Sequence, residues 1–126
     1  MKALSIRQPW AWAILHGAKR VENRTWRTNY RGQILIHAGA KRCAAGLVLP
    51  DGTPVPDPLD YGALLGVATI VDCVPLAEAP AGPFTEGPFC WLLDDVKPFA
   101  QPIPFSGQLQ LFEVPDEVVS GSLPAS

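Results

Sequence analysis

The sequence predicts an α+β domain, a small mixed β-barrel of about six strands with one or two short flanking helices. Three observations lead there. Short apolar runs recur along the chain, β-branched in QILIHA and TIVDCV and aromatic in FCWLL, the pattern of strands with at least one buried face. Thirteen of the fourteen prolines follow residue 49; proline removes a backbone donor and crowds the preceding turn, so long helices are excluded from the second half. With 126 residues, 48% of them hydrophobic, the chain fills one modest core and not two. An open sandwich is the structural competitor.

The elements follow in order. ALSIR (3–7) is the first strand, and a short helix begins at Pro9, whose fixed φ suits a first helical position. Gly17 closes it. The segment KRVENRTWR (19–27) reads as a strand with a polar aromatic face. Alternation puts Arg20, Glu22, Arg24 and Trp26 on one side and Val21, Asn23 and Thr25 on the other. A turn at TNYRG (28–32) leads into QILIHA (33–38), a buried strand. A second short helix is expected around KRCAAG (41–46), before the loop LPDGTPVPDPLDYG (49–62). LLGVATIVDCVPL (64–76) is the strongest core strand, and a loop punctuated by Pro80, Gly82, Pro83, Gly87 and Pro88 separates it from FCWLL (89–93). GQLQLFEV (107–114) supplies the last strand and VSGSLPAS a frayed tail.

The net charge of -2 conceals a strong asymmetry. Nine of the ten Lys and Arg lie in the first 42 residues, against a single acid, Glu22. If the fold gathers that third into one surface, it carries a basic patch suited to phosphate. Cys43, Cys73 and Cys90 are odd in number and lack C-x-x-C spacing, so neither a disulfide framework nor a zinc site is signalled and a reducing, cytoplasmic setting fits. Two histidines cannot build a His-rich metal site, and no metal or other cofactor is expected. Arg7, Gln8 and Pro9 interrupt any leader-like apolar stretch, and no run reaches the length of a membrane helix, so no membrane partner is expected.

A carboxylate, a guanidinium and an indole in alternation can form a pocket wall. The indole offers a stacking platform, the carboxylate accepts from exocyclic amines, and Arg donates to phosphate or base edges. Composition alone favours a plainer account, a solvated strand face with a Glu–Arg pair and a Trp covering a barrel end. Lys19 and Arg31 each read either as phosphate contacts or as ordinary exposed cations. Ser5, Arg7 and Trp10 stand at the first strand–helix junction, where Gln8 either caps the helix or reaches a base. His37 and Trp91 read as core, and Cys90 as a buried thiol without a basic partner.

These residues together resemble the ASCH domain, the activating-signal-cointegrator homology module of the PUA-like superfamily. The resemblance rests on LSIRQPWAWAILHGAKRVENRTW, continues through YRGQILIHA, and is weaker at FCWLLDDV and PIPFSGQLQLFEV. It spans essentially the whole chain, with residues 1–118 as a single domain and 119–126 as the tail. It implies a small mixed barrel with a cleft for nucleic acid, usually RNA or single-stranded nucleic acid, or for a modified nucleoside. Lys19, Glu22 and Arg24 would lie in that cleft, with Arg7, Gln8, Trp10, Trp26 and Arg31 around it. The expected function is therefore a nucleic-acid-binding module. The alternative is a metal-independent hydrolase, an amidohydrolase or ribonuclease, with Lys19 and Glu22 as its acid–base pair. Some members resemble amidohydrolases for N4-acetylcytidine that use a Lys, a Thr three residues later and a downstream Glu. Here Lys19 matches, but Glu22 stands at the threonine position, Thr25 should face away, and Asp72 or Asp94 would have to supply the acid.

Overall fold

The computed structural model describes residues 1–124. Its six strands are β1 (Lys2–Ile6), β2 (Val21–Arg24), β3 (Gly32–Ala38), β4 (Ala63–Pro75), β5 (Phe89–Pro104) and β6 (Leu111–Glu113). They form one sheet in the order β2-β5-β4-β3-β1-β6, with β1 and β3 parallel and the other pairs antiparallel. The sheet curls into a half-barrel flanked by two short helices, α1 (Trp10–Leu15) and α2 (Asp116–Val119), as expected for a small α+β barrel of PUA-like type. Among the described residues, no helix is long and apolar enough to cross a membrane.

Apolar density on β3 follows from burial on both faces. Ile34, Ile36 and Ala38 join Leu4, Ile6, Ile14 and Trp91 in one cluster, whereas Leu35 joins Ala3, Val67, Phe112 and Val119 in another. Each such large aliphatic side chain contributes about 1.5–3 kcal/mol on leaving water. Helix α1 covers the first cluster through Ala11, Ile14 and Leu15. Its short length is offset by side chains at both ends. The Gln8 Oε1 accepts from the Trp12 amide at 2.9 Å, and the Arg20 guanidinium donates to the carbonyls of Ile14, Gly17 and Lys19 at 3.0–3.2 Å. Both satisfy helix-terminal groups that would otherwise lack partners.

Several elements differ from the sequence expectation. No helix forms over residues 41–46; the second helix is α2, near the C-terminal end. Strand β5 continues to Pro104, well past FCWLL, through three prolines. Partner β2 covers Phe89 to Leu92 alone, and the pairing with β4 is broken by register shifts. Proline is tolerated at such edges and bulges because no ladder bond depends on its missing N–H. The last strand is cut to Leu111–Glu113, preceded by Gln110 in the left-handed region at φ 58°. The segment read as a tail is anchored at first, since Val119 is fully buried and Leu123 packs on the second cluster. Residues 125 and 126 lie outside the described residues.

Gly66 sits where β4 and β5 slip register, between Leu64 and Gly66. A Cβ there would stand 2.6 Å from the Lys97 carbonyl oxygen and 2.7 Å from Leu15 Cδ2, closer than real contacts permit. The Gly66→Ala variant should lose about 1–3 kcal/mol in urea unfolding, the usual cost of overpacking against backbone; an unchanged midpoint would mean that β5 has room to shift.

Candidate functional site

A cleft of about 410 Å³ opens where the curled sheet fails to close. In sheet order three strands separate β2, at one edge, from β1, next to the other edge. Yet the Arg24 Nη2 donates to the Ser5 carbonyl at 2.8 Å, so one side chain spans the seam between them. The cleft is walled by the end of β1 and start of α1 (Ser5, Ile6, Arg7, Trp10) and by Lys19 with β2 and the bend after it. Its remaining wall comes from Pro50 and from the loop carrying Pro83, Phe84 and Glu86.

At its floor Glu22 is held between two cations. Lys19 Nζ lies 3.2 Å from Glu22 Oε1, and Arg24 Nε and Nη2 lie 3.0 and 2.9 Å from Oε2. Lys19 also donates to the Val21 carbonyl and sits 5.9 Å from the centre of the Trp10 ring, a cation–π approach. The Lys19 and Glu22 side chains are 4% and 9% exposed, so this is a buried ion network and not a surface pair. Burial is tolerable because each charge has partners. Arg24 keeps Nη1 free of protein bonds, and Arg7 makes no ion pair or side-chain hydrogen bond among the described residues. Three cations therefore face two carboxylates, Glu22 and Glu86, leaving the cleft with a positive excess.

Aromatic surface lines the same space. Trp26 rests edge-on against the fully buried Trp91, with ring centres 4.6 Å apart, and its carbonyl accepts from the Trp91 indole at 3.2 Å. This leaves Trp26 half-buried and fixed in direction. Opposite, Phe84 packs with Ala13 and Leu49. The loop that carries it is pinned by Asn23, whose Nδ2 donates to the Phe84 carbonyl at 2.9 Å while Oδ1 accepts from the Glu86 and Gly87 amides at 2.9 and 2.8 Å.

Of the residues expected at the site, Arg7, Trp10, Lys19, Glu22, Arg24 and Trp26 line this cleft. Gln8 and Arg31 do not. Gln8 is a structural tether, capping α1 and donating to the Asp60 carbonyl at 2.9 Å. Arg31 pairs with Asp72 at 3.3 Å on an exposed surface and donates to the Thr28 carbonyl. Neither Asp72 nor Asp94 lines the cleft with Lys19: Asp72 makes that surface pair, and Asp94 is exposed and accepts from the Asp95 amide. Arg20, placed by alternation beside Glu22, is drawn instead to the end of α1. Thr25, which strict alternation turns away from Glu22, lines the cleft, because β2 ends at Arg24 and the chain bends there. No sequence pattern marks Asn23, Phe84 and Glu86; their signal lies in contacts between segments some sixty residues apart. Cys90 is fully buried, and burial pushes its thiol pKa up, which disfavours the nucleophilic thiolate. Among the described residues no group of three His, Cys, Asp or Glu could hold a metal ion.

The sequence model of the ASCH domain matches residues 4–91. The chain is similar to Activating signal cointegrator 1 of Homo sapiens, 28% identical over 134 aligned residues that cover 94% of this chain and 23% of that protein. It is also similar to Activating signal cointegrator 1 of Mus musculus, 41% identical over 81 residues, covering 56% of this chain and 14% of the relative. The chain thus spans less than a quarter of the length of the curated relatives it matches.

Removing the central carboxylate should expose the cost of the buried charges. Glu22→Ala leaves Lys19 enclosed without its counter-ion and should destabilise the fold by about 3–5 kcal/mol. Arg24→Ala, which leaves the Lys19–Glu22 pair and removes a more exposed group, should cost clearly less. Urea unfolding of both variants decides it; a Glu22→Ala loss no larger than that of Arg24→Ala would contradict the assignment.

Proposed function

Since the chain belongs to the ASCH domain family, we propose that it is a nucleic-acid-binding module that takes a nucleotide of single-stranded RNA or DNA, or a modified nucleoside, into the seam cleft. The observation that carries this reading is the convergence of Arg7, Arg24 and Trp26 on one opening of nucleotide size. In this reading a base stacks on the accessible side of Trp26, with Phe84 and Trp10 completing an apolar enclosure. Stacking on an aromatic side chain is worth about 1–3 kcal/mol per base and tolerates any base. Arg7 and the free Nη1 of Arg24 meet phosphate or the base edge. Both Glu22 oxygens are already committed to cations, so Glu22 orients Arg24 more than it reads a base.

Hydrolysis of RNA or of a modified nucleoside such as N4-acetylcytidine is the second reading, and one observation favours it. Lys19, Thr25 and Glu86 line the same cleft, so a hydroxyl and a downstream carboxylate share it with the lysine. Product formation from labelled RNA or N4-acetylcytidine, lost in Glu86→Gln, would support this reading. Absence of turnover by the parent protein would leave binding alone.

For the binding reading, fluorescence anisotropy with labelled single-stranded oligonucleotides should show log affinity falling with log salt. Trp26→Ala should weaken binding by about 1–3 kcal/mol, and Arg7→Gln should flatten the salt slope by about 0.7. Binding indifferent to both substitutions, in proteins of unchanged fold, would overturn it.

A further inference from the structure

Behind Ser5 lies a second, wider depression of about 820 Å³. Ser5 lines both this groove and the seam cleft: its carbonyl accepts from Arg24 in the cleft, while its hydroxyl lies 3.0 Å from His37 Nδ1 in the groove. The second His37 nitrogen, Nε2, lies 2.6 Å from the Phe105 carbonyl. A carbonyl can only accept, so in the neutral ring Nε2 carries the hydrogen and Nδ1 accepts from Ser5. His37 therefore fixes the rotamer of the residue that joins the two cavities, and the histidine itself is 1% exposed.

The groove wall mixes glycine with larger side chains, Phe105, Gln108 and Leu109 among them. Gly39, Gly62 and Gly107 line it, and a Cβ at Gly107 would stand 2.8 Å from His37 Cε1 and 3.0 Å from Ser5 Oγ. Glycine here lets the segment around Gly107 lie directly over the Ser5–His37 pair. No Asp or Glu lines the groove. From its Gly39–Ala40 side the chain runs straight on into Lys41 and Arg42, both exposed and neither in an ion pair among the described residues. Arg42 lies over the ring of Tyr61, 4.8 Å from its centre, and Tyr61 directly precedes Gly62 of the groove wall. On the cleft side of Ser5 stands Arg7, also unpaired.

We infer that the groove is a second subsite for the same ligand, a track for the sugar–phosphate backbone of nucleotides flanking the one held in the cleft, with Lys41 and Arg42 as its phosphate contacts. The inference rests on the binding reading above. Glycines along the wall let a ribose–phosphate chain approach the backbone, the lining carries no carboxylate to repel phosphate, and Ser5, which lines both cavities, is where the ligand would pass from one to the other. It implies a footprint of several nucleotides. A ligand confined to the cleft would cover one.

The test uses nucleoside monophosphates and labelled single-stranded RNA and DNA nonamers, with the full chain and its Lys41→Gln/Arg42→Gln variant. Both substituted side chains are exposed, and equal urea midpoints would verify folding. The nonamer should bind the parent protein at least tenfold more tightly than any monophosphate. In the variant its affinity should fall roughly tenfold or more at about 50 mM salt, with the salt slope shallower by about 1.4, two single-strand phosphate contacts. Monophosphate binding should be unchanged. A nonamer bound no better than a monophosphate, or bound equally by both proteins, overturns the groove subsite while leaving the cleft reading intact. If the parent protein binds neither probe, both readings fall together.

Discussion

The carboxylate of Glu22, enclosed between Lys19 and Arg24, is the constraint from which the site follows. A lone buried charge is too costly to keep, so its presence demands that both cations be brought to it. Lys19 is supplied by the turn after α1, and Arg24 by the end of β2. Once oriented by Glu22, Arg24 reaches across to the Ser5 carbonyl and ties the β2 edge of the half-barrel to β1. The seam is thereby held at a fixed width. What remains between the edges is the cleft, with one wall of ion network and another of indole and phenyl rings.

This arrangement also explains how an acidic chain can present a cationic site. Cations of the basic first third are sorted by local partners. Lys2 pairs with Glu113, Arg20 caps α1 and Arg31 pairs with Asp72, so none of these contributes at the cleft. Arg7, which lines the cleft, and Lys41 and Arg42, which follow Ala40 of the groove wall, make no ion pair among the described residues. Exposed pairs contribute little to stability; their consequence here is that Lys2 and Arg31 are neutralised away from the cleft, whereas Arg7, Lys41 and Arg42 are not.

Much of the fold was legible because it rests on local pattern. The β-branched density of QILIHA and TIVDCV marks central strands, and the Pro9-to-Gly17 interval brackets a helix. Alternation along KRVENRTWR correctly put Glu22 and Arg24 on one face, since β2 is regular over those residues. It failed at Thr25, where the strand has ended, and at Arg20, where the carbonyls at the end of α1 offered better partners. Gln8 had two roles open to it in the sequence, and the helix cap is the one it takes. The far wall could not be read from the chain. Phe84 and Glu86 sit in a proline-rich loop with no periodicity, and their place is set by the Asn23 amide, a contact made by the folded sheet. The length of β5 was hidden for a related reason, because its prolines are permitted only by the unequal lengths of its neighbours.

The central claim is that the seam between β2 and β1 is where a nucleotide is received. The most direct measurement is photo-crosslinking with a single-stranded oligonucleotide carrying 4-thiouridine, followed by mass-spectrometric mapping of the attached peptides. Adducts on the peptides containing Trp26, Trp10 or Phe84 are the predicted result. Adducts confined to α2 (Asp116–Val119), with none on any peptide that lines the cleft, would contradict the account.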